Sequence, residues 1–341
     1  MPWRLCGEFF NFDFLLLTYN YLIIGQGISG TMLSWFLYKE GKTFLVIDDN
    51  ESNTASRVAA GVINPVTGRR YVTTWMIDEV MPFAIGVYEE MEKLFNQKFV
   101  YQKNIIDFFP SVQMREAFIK RITEDDTYVH SFPDQNHFNQ YFHHDFGCGE
   151  LSPCYTIDLA GVMSNWKNKL EGLEAIRKEK FNPQELKLTD DGIQYGDITA
   201  EKIIFCNGVE GMQSEYFKLL PFAPNKGEVM IIECPDLTTQ HIFKRSMVLA
   251  PLPAKDLFWF GSNYLWDFEN VLPSEMFYLQ AKALLEKWLK LPFKILEHKA
   301  SLRPATLERR PFVGFHPQFP SIGILKLNGS KRNFPRAFFC Q

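Results

Sequence analysis

The chain has no CxxC pair among its six cysteines, Cys6, Cys148, Cys154, Cys206, Cys234 and Cys340. This removes the common paired-thiol zinc and redox motifs. Scattered cysteines in a chain of 341 residues read instead as reduced, mostly buried thiols, which points to the cytoplasm. HExxH spacing is also missing, so His143-His144-Asp145, in a polar region, reads as a surface loop rather than a metal site. No apolar run is long enough to cross a bilayer. The nearest, Phe9 to Leu17, is interrupted by Asn11 and Asp13 and has no small-residue cleavage site, so neither a membrane span nor a processed leader is expected. Neither charge sign dominates: 36 Lys and Arg stand against 40 Asp and Glu, a net charge of −4 with a pI near 6.0. That balance gives no general attraction to nucleic acid or anionic membrane, and nucleic acid is not expected as a partner. Repeats and low-complexity segments are absent too.

What is present is an ordinary globular composition, 46% hydrophobic and 22% charged, with aromatics high at 15%. The length suggests about two domains. The most informative stretch is Tyr21 to Asp48, YLIIGQGISGTMLSWFLYKEGKTFLVID. It reads as a buried strand, a tight turn at Gly25, Gly27 and Gly30, an apolar helix, and a second strand ending in an acid. That is the order of a dinucleotide-binding unit. Gly25 permits the sharp turn, Gly27 leaves room for a pyrophosphate, and Gly30 lets the helix pack on the strand. N–H groups at the helix start, Ile28 and Ser29, are placed to hold the diphosphate. Asp48 can accept both hydroxyls of an adenosine ribose.

Further along, residues 75–100 show apolar spacing of i, i+3/i+4 and read as helix. Residues 159–170 are helical. Ala175 to Lys180, Leu186 to Thr189, Gly192 to Tyr195 and Lys202 to Cys206 read as a meander closing on the first sheet. Glu228 to Cys234 and Leu257 to Gly261 read as strands, and Ser274 to Leu289 as an amphipathic helix.

Four collinear segments then carry a resemblance. Ala59-Ala60-Gly61-Val62-Ile63-Asn64-Pro65, Ile203-Ile204-Phe205-Cys206-Asn207-Gly208, Pro224-Asn225-Lys226-Gly227-Glu228, and Ser301-Leu302-Arg303-Pro304-Ala305-Thr306 followed by Arg310-Pro311-Phe312-Val313-Gly314 resemble motifs of the D-amino acid oxidase and glycine oxidase-like superfamily. They span roughly residues 20 to 330. The resemblance implies an α/β fold: a Rossmann-type FAD-binding domain with an inserted mixed β-sheet substrate domain, a glutathione reductase-like two-domain arrangement. It assigns 20–75, 151–215 and 300–341 to the FAD-binding domain, 76–150 and 216–299 to the substrate domain, and leaves 1–19 as a non-native extension.

The same resemblance implies FAD, held by Gly25, Gly27, Ile28, Ser29, Gly30, Asp48, Arg57, Ala60, Gly61, Asn207, Gly208, Asn328 and Gly329. It implies oxidation of a small amine or amino acid, by hydride transfer from the α-carbon to flavin N5, with Arg303 clamping a substrate carboxylate. Gly61 and Asn207-Gly208 also read as ordinary turn residues, Arg303 as a surface arginine, and Arg69-Arg70 as facing either an acidic substrate or solvent. Tyr264 and Trp266 read equally as pocket lining and as sheet packing.

Three departures from the pattern matter. Trp259 stands where the sarcosine oxidase branch carries a lysine that assists the reaction with oxygen, so oxidase and dehydrogenase both stay open and the electron acceptor is unknown. Lys299-Ala300-Ser301-Leu302 lacks the cysteine that tethers flavin in that branch, so non-covalent FAD is expected. Finally, Asn328-Gly329-Ser330-Lys331-Arg332-Asn333-Phe334-Pro335-Arg336 departs from the family's Lys-Gly-Ile-Ser-Leu. One codon choice for Lys331 to Arg336, read one base later, restores that sequence, and a frameshifted tail is the expectation. Two other readings accompany the enzyme: a non-catalytic remnant, and a flavin domain acting on a modified tRNA nucleoside.

Overall fold

The computed structural model describes residues 16–308 and 310–326. The expected frameshift, Asn328 and Gly329 lie outside them. The first strand, Leu17–Ile24, turns apolar and buried over Leu22–Ile24, where it has a parallel neighbour on each side. Phe44–Asp48 pairs along one edge and Ile198–Phe205 along the other. Beyond Phe44–Asp48 lies Ile176–Lys178, also parallel. The strand Ile198–Phe205 is shared. Its first half takes the antiparallel hairpin Leu186–Thr189 and Gly192–Tyr195, and its second half takes Ile322–Lys326 in parallel. Phe312–Phe315 closes that edge.

Alternation decides which side chain meets which layer. Ile23 and Val46 pack with Met32, Leu33, Trp166 and Leu170 from the helices Ile28–Lys39 and Leu159–Gly172. Leu22, Ile24, Leu45 and Ile47 face the other way, against Ile203, Phe205, Phe217 and Tyr195. The indole of Trp166, fully buried, donates to Ser34 Oγ at 2.7 Å and meets Trp35 edge-on, so its one polar group is satisfied inside the core.

A second sheet of eight strands runs in the order 294–303, 225–233, 257–261, 248–251, 242–244, 105–108, 148–151, 129–131. Its pairings are antiparallel except between Ile242–Lys244 and Ile105–Phe108. The helix Glu275–Trp288 packs on one face, where Met230, Ile232, Phe258 and Phe260 point. The opposite face holds Ile105, Ile242 and Ala250 against Tyr71 and Phe118. A small sheet of Val62–Ile63, Tyr155–Ile157 and Val100–Gln102 joins segments expected in different domains.

Several boundaries differ from the sequence reading. The first strand begins at Leu17 rather than Tyr21, because Ile198–Ala200 offers partners to Leu17, Thr18 and Tyr19. Those three residues pair within the sheet. The boundary expected at residue 300 cuts through the strand Lys294–Arg303, which pairs with Asn225–Glu233 to its end, so 300–303 are part of the second sheet. The helix expected over 75–100 is shorter, Ile77–Phe95, closed by Asn96 in a left-handed conformation (φ 48°). The four described cysteines, Cys148, Cys154, Cys206 and Cys234, are free and buried, and burial pushes the Cys148 thiol up to about 12.

Lys326, at the end of the shared edge, is 3% exposed. Its ammonium lies 3.7 Å from the centroid of Phe222 and 3.4 Å from the Ala305 carbonyl, and burial pushes its pKa down to about 7. The unfolded chain keeps that proton to about pH 10.4, so between these values the unfolded state binds more protons and stability rises with pH. Lys326→Met should therefore raise the melting temperature at pH 7, and the gain over wild type should shrink as the pH approaches 10. A gain that stayed constant across that range would show that the lysine's charge state is not what costs stability.

Candidate functional site

Gly25 leaves the first strand at φ 98°, in the left-handed region, and a Cβ there would stand 3.0 Å from the Cys206 carbonyl. Gly30 has no freedom at all: its Cβ would fall 1.8 Å from the Gly25 carbonyl oxygen. The helix start is thus pressed directly onto the turn. Gly27, the residue before the helix, differs from both. Among the described residues its Cβ would meet only the Ser56 side chain, with Oγ at 3.2 Å. That is the cradle a phosphate needs at a helix N-terminus. The Ile28 N–H there donates to Ser56 Oγ at 3.0 Å, while Ser29 and Gly30 are buried behind it.

At the end of the second strand, Asp48 receives the Gln26 N–H on Oδ2 at 2.7 Å and the Asn50 N–H on Oδ1 at 2.9 Å. A carboxylate has about four acceptor positions, so two remain for hydroxyl donors. Beside it, Asn50 Oδ1 accepts from Arg57 at 3.0 Å and from Lys167 at 2.9 Å. Arg57 is therefore at the acidic end of the unit, on the short helix Ala55–Val58 that also supplies Ser56. Gly61 sits at φ 68° with its carbonyl taking the Ile157 N–H at 2.9 Å, and a Cβ would fall 2.0 Å from the Ile157 carbonyl. Glycine is required there by the strand Tyr155–Ile157 whatever else lies alongside. Ala60 next to it is half-buried. Asn207 and Gly208 (φ 59°) follow the shared strand into a 3-10 turn, where the Cys206 N–H bonds the Ile24 carbonyl, next to the glycine turn.

Arg303 ends the edge strand of the second sheet. That strand lies against both the helix Ala55–Val58 and the turn Gly208–Gln213, which brings the arginine's strand up to the nucleotide segments. Trp259 fastens the same junction, its indole N–H donating to the Val58 carbonyl at 2.8 Å. The Arg303 guanidinium donates from Nη1 to Asn225 Oδ1 at 2.7 Å and to the Asn263 carbonyl at 3.1 Å, and from Nη2 to Ser262 Oγ at 2.5 Å. The Tyr264 ring covers it at 4.3 Å. Space for the fork comes from Gly227, where a Cβ would fall 2.0 Å from Nη2.

All of these partners are neutral. Among the described residues no carboxylate pairs with Arg303, although burial pulls its pKa down, and an arginine stays charged throughout. Of its five N–H donors, three are engaged. Among the described residues Nε–H and one Nη2–H have no partner, and Nε with Nη2 is the edge by which an arginine can take a carboxylate side-on.

The structure thus gathers Gly25, Gly27, Ile28, Ser29, Gly30, Asp48 and Arg57 around one turn, with Asn207-Gly208 adjoining. Ala60 and Gly61 are placed on the loop that follows the Arg57 helix. Arg303 is on the facing sheet. Arg69 and Arg70 are exposed on the hairpin between Val66–Thr67 and Val72–Thr73, and Trp266 is exposed. The sequence reading missed Ser56, Gln26, Gly227, Ser262 and Asn263. Gly227 carried a signal, since Asn225 and Gly227 share a face of a strand by alternation. Ser262 and Asn263 carried none, because only the pairing of distant strands brings their loop to Arg303.

A family model described as FAD dependent oxidoreductase matches residues 20–333. Among solved structures, glycine oxidase from Geobacillus kaustophilus superposes with a TM-score of 0.75 at 13% identity, over 91% of this chain and 89% of that one. Iminodiacetate oxidase from Chelativorans sp. BNC1 gives 0.69 at 18% identity, over 91% and 90%. L-proline dehydrogenase from P. horikoshii gives 0.71 at 13% identity, over 92% and 88%. These likenesses establish a shared fold.

Proposed function

The chain belongs to the FAD dependent oxidoreductase family, and from that premise we propose that it oxidises a small amino acid or amine, with Arg303 gripping the substrate carboxylate. The cofactor is FAD, and the cradle fits it: an open position over Gly27, a positive-φ turn at Gly25, and a carboxylate with acceptor capacity at Asp48. Gly25, Gly27, Ile28, Ser29 and Gly30 would hold the diphosphate and Asp48 the ribose, with Arg57, Ala60, Gly61, Asn207 and Gly208 alongside. Lys299-Ala300-Ser301-Leu302 offers no thiol, so we take the attachment to be non-covalent. When bound, the flavin supplies the hydride acceptor.

The observation that carries the substrate assignment is a half-buried arginine whose partners among the described residues are all neutral and which keeps Nε–H and one Nη2–H without a partner there. A monocarboxylate would complete it. A two-point contact fixes the rotation of the ligand as well as its position, which holds the α-carbon in one orientation for reaction. Neighbouring solved structures named for glycine, iminodiacetate and L-proline are consistent with a substrate of this size. The reading covers an oxidase and a dehydrogenase alike, since the acceptor does not alter the carboxylate site.

The test is an anaerobic screen of amino acids and carboxylate-free amines against the holoprotein, following the flavin absorption. Bleaching by amino acids in preference to the matching amines is the expected result, and equal bleaching by both would remove Arg303 from substrate recognition. FAD binding has its own test. Gly27→Val should leave the fold intact, because only a side chain stands near the new Cβ, yet abolish flavin retention. Full flavin occupancy in that variant would move the diphosphate elsewhere.

A further inference from the structure

Behind Arg303, on the opposite face of its sheet, lies a fully buried carboxylate that the site as described does not use. Alternation along Asn225–Glu233 turns Asn225 and Gly227 toward Arg303, and Lys226 and Glu228 toward the helix Glu275–Trp288. Glu228 is 0% exposed. Oε2 accepts the Ser274 N–H at 2.6 Å and contacts His298 Nε2 at 3.1 Å. Oε1 accepts from Ser274 Oγ at 2.8 Å and from Asn263 Nδ2 at 3.5 Å, with Lys226 Nζ 3.4 Å away. Burial alone would raise its pKa, but the Ser274 hydrogen bonds and the Lys226 charge outweigh that and hold it below the ordinary carboxylate value.

The link to the site is Asn263. Its backbone carbonyl accepts from Arg303 Nη1 at 3.1 Å, while its side chain meets Glu228 twice, Oδ1 accepting the main-chain N–H at 2.7 Å and Nδ2 reaching the carboxylate Oε1 at 3.5 Å. Two residues on, Leu265 exchanges both backbone hydrogen bonds with Lys226, at 2.9 and 3.0 Å. The loop 262–265 is therefore clamped at both ends, and one residue carries the clamp on its side chain and the arginine on its main chain. Ser262, the other loop acceptor of Arg303, is the residue before it.

We propose that Glu228 is a positioning residue for the Arg303 site, acting through Asn263 to fix the loop that aims the guanidinium at a carboxylate-bearing ligand. The inference rests on the reading of Arg303 given above. A carboxylate accepts from every donor around it, whereas an amide must turn its NH2 either toward Ser274 N–H and His298 or toward Asn263 Nδ2 and Lys226 Nζ, so Glu228→Gln keeps the volume and disturbs the network that holds Asn263. Asn263→Ala removes the side-chain bridge and leaves the backbone carbonyl that Arg303 uses.

The experiment titrates propionate against the flavin absorption of the holoprotein, in wild type, Glu228→Gln, Asn263→Ala, the double variant and Arg303→Ala, each checked for flavin occupancy and melting temperature. Each single variant should weaken propionate binding about tenfold, the scale of one perturbed hydrogen bond near its upper limit. The double variant should be no weaker than the worse single one, because both act through one bridge. For an amino acid substrate the loss should appear in KM with kcat nearly unchanged. If Arg303→Ala abolishes propionate binding while Glu228→Gln and Asn263→Ala bind it as wild type does, the positioning role is overturned and the Arg303 reading stands. Additive losses in the double variant overturn the route through Asn263. Unchanged binding in Arg303→Ala overturns both readings together.

Discussion

Arg303→Ala should retain FAD and lose about 2–5 kcal/mol in kcat/KM for a carboxylate-bearing substrate, the usual range for truncating one partner of a buried charge pair. The expectation follows from what surrounds the guanidinium. Asn225, Ser262 and the Asn263 carbonyl orient it without neutralising it, so the charge is left for a ligand. Tyr264 covers one face, and Gly227 leaves the room the fork occupies. Arg303→Lys should not rescue the loss, because an ammonium cannot make the side-on two-point contact. A parallel variant, Gly227→Ala, leaves the arginine in the sequence but puts a methyl 2.0 Å from Nη2, and should reproduce much of the defect. Turnover of the native substrate unchanged in Arg303→Ala would place carboxylate recognition elsewhere.

The second large effect concerns the turn itself. Gly30→Ala should destabilise the protein by at least about 3 kcal/mol, the upper part of the range for overpacking, and lose FAD with it. The new methyl would stand 1.8 Å from the Gly25 carbonyl oxygen. Both groups are tied to backbone, one in the helix Ile28–Lys39 and the other in the turn leaving the first strand, so no rotamer change relieves the overlap. The comparison with Gly27→Val separates two jobs within one glycine motif. Gly27 should affect the ligand and not the fold; Gly30 should affect the fold and, through it, the ligand. Thermal melting of both proteins without added FAD measures the difference. A Gly30→Ala protein that melts as wild type does would mean that helix and strand can separate at no cost.

The sequence by itself determined the nucleotide unit and the family. Both are written in local pattern: an apolar strand, three glycines at fixed spacing, a helix and a terminal acid within 28 residues, then four motifs in order. It also located the strand Leu257–Gly261, the helix Leu159–Gly172 on the first sheet and the helix Glu275–Trp288 on the second to within a residue or two.

Tertiary structure alone decided the rest. Gly61 is a glycine because the Ile157 carbonyl lies against it, a contact between residues far apart in the chain. Ser56 reaches the helix start at Ile28 only because the helix Ala55–Val58 folds back on the turn. Residues 300–303 belong to the second sheet because their register with Asn225–Glu228 extends to the strand's end. The Arg303 cradle combines Asn225, Ser262 and Asn263, which share no local period. A period reports which face of its own element a residue occupies. It does not report which strand will lie beside that element, and the chemistry of this site depends on that pairing.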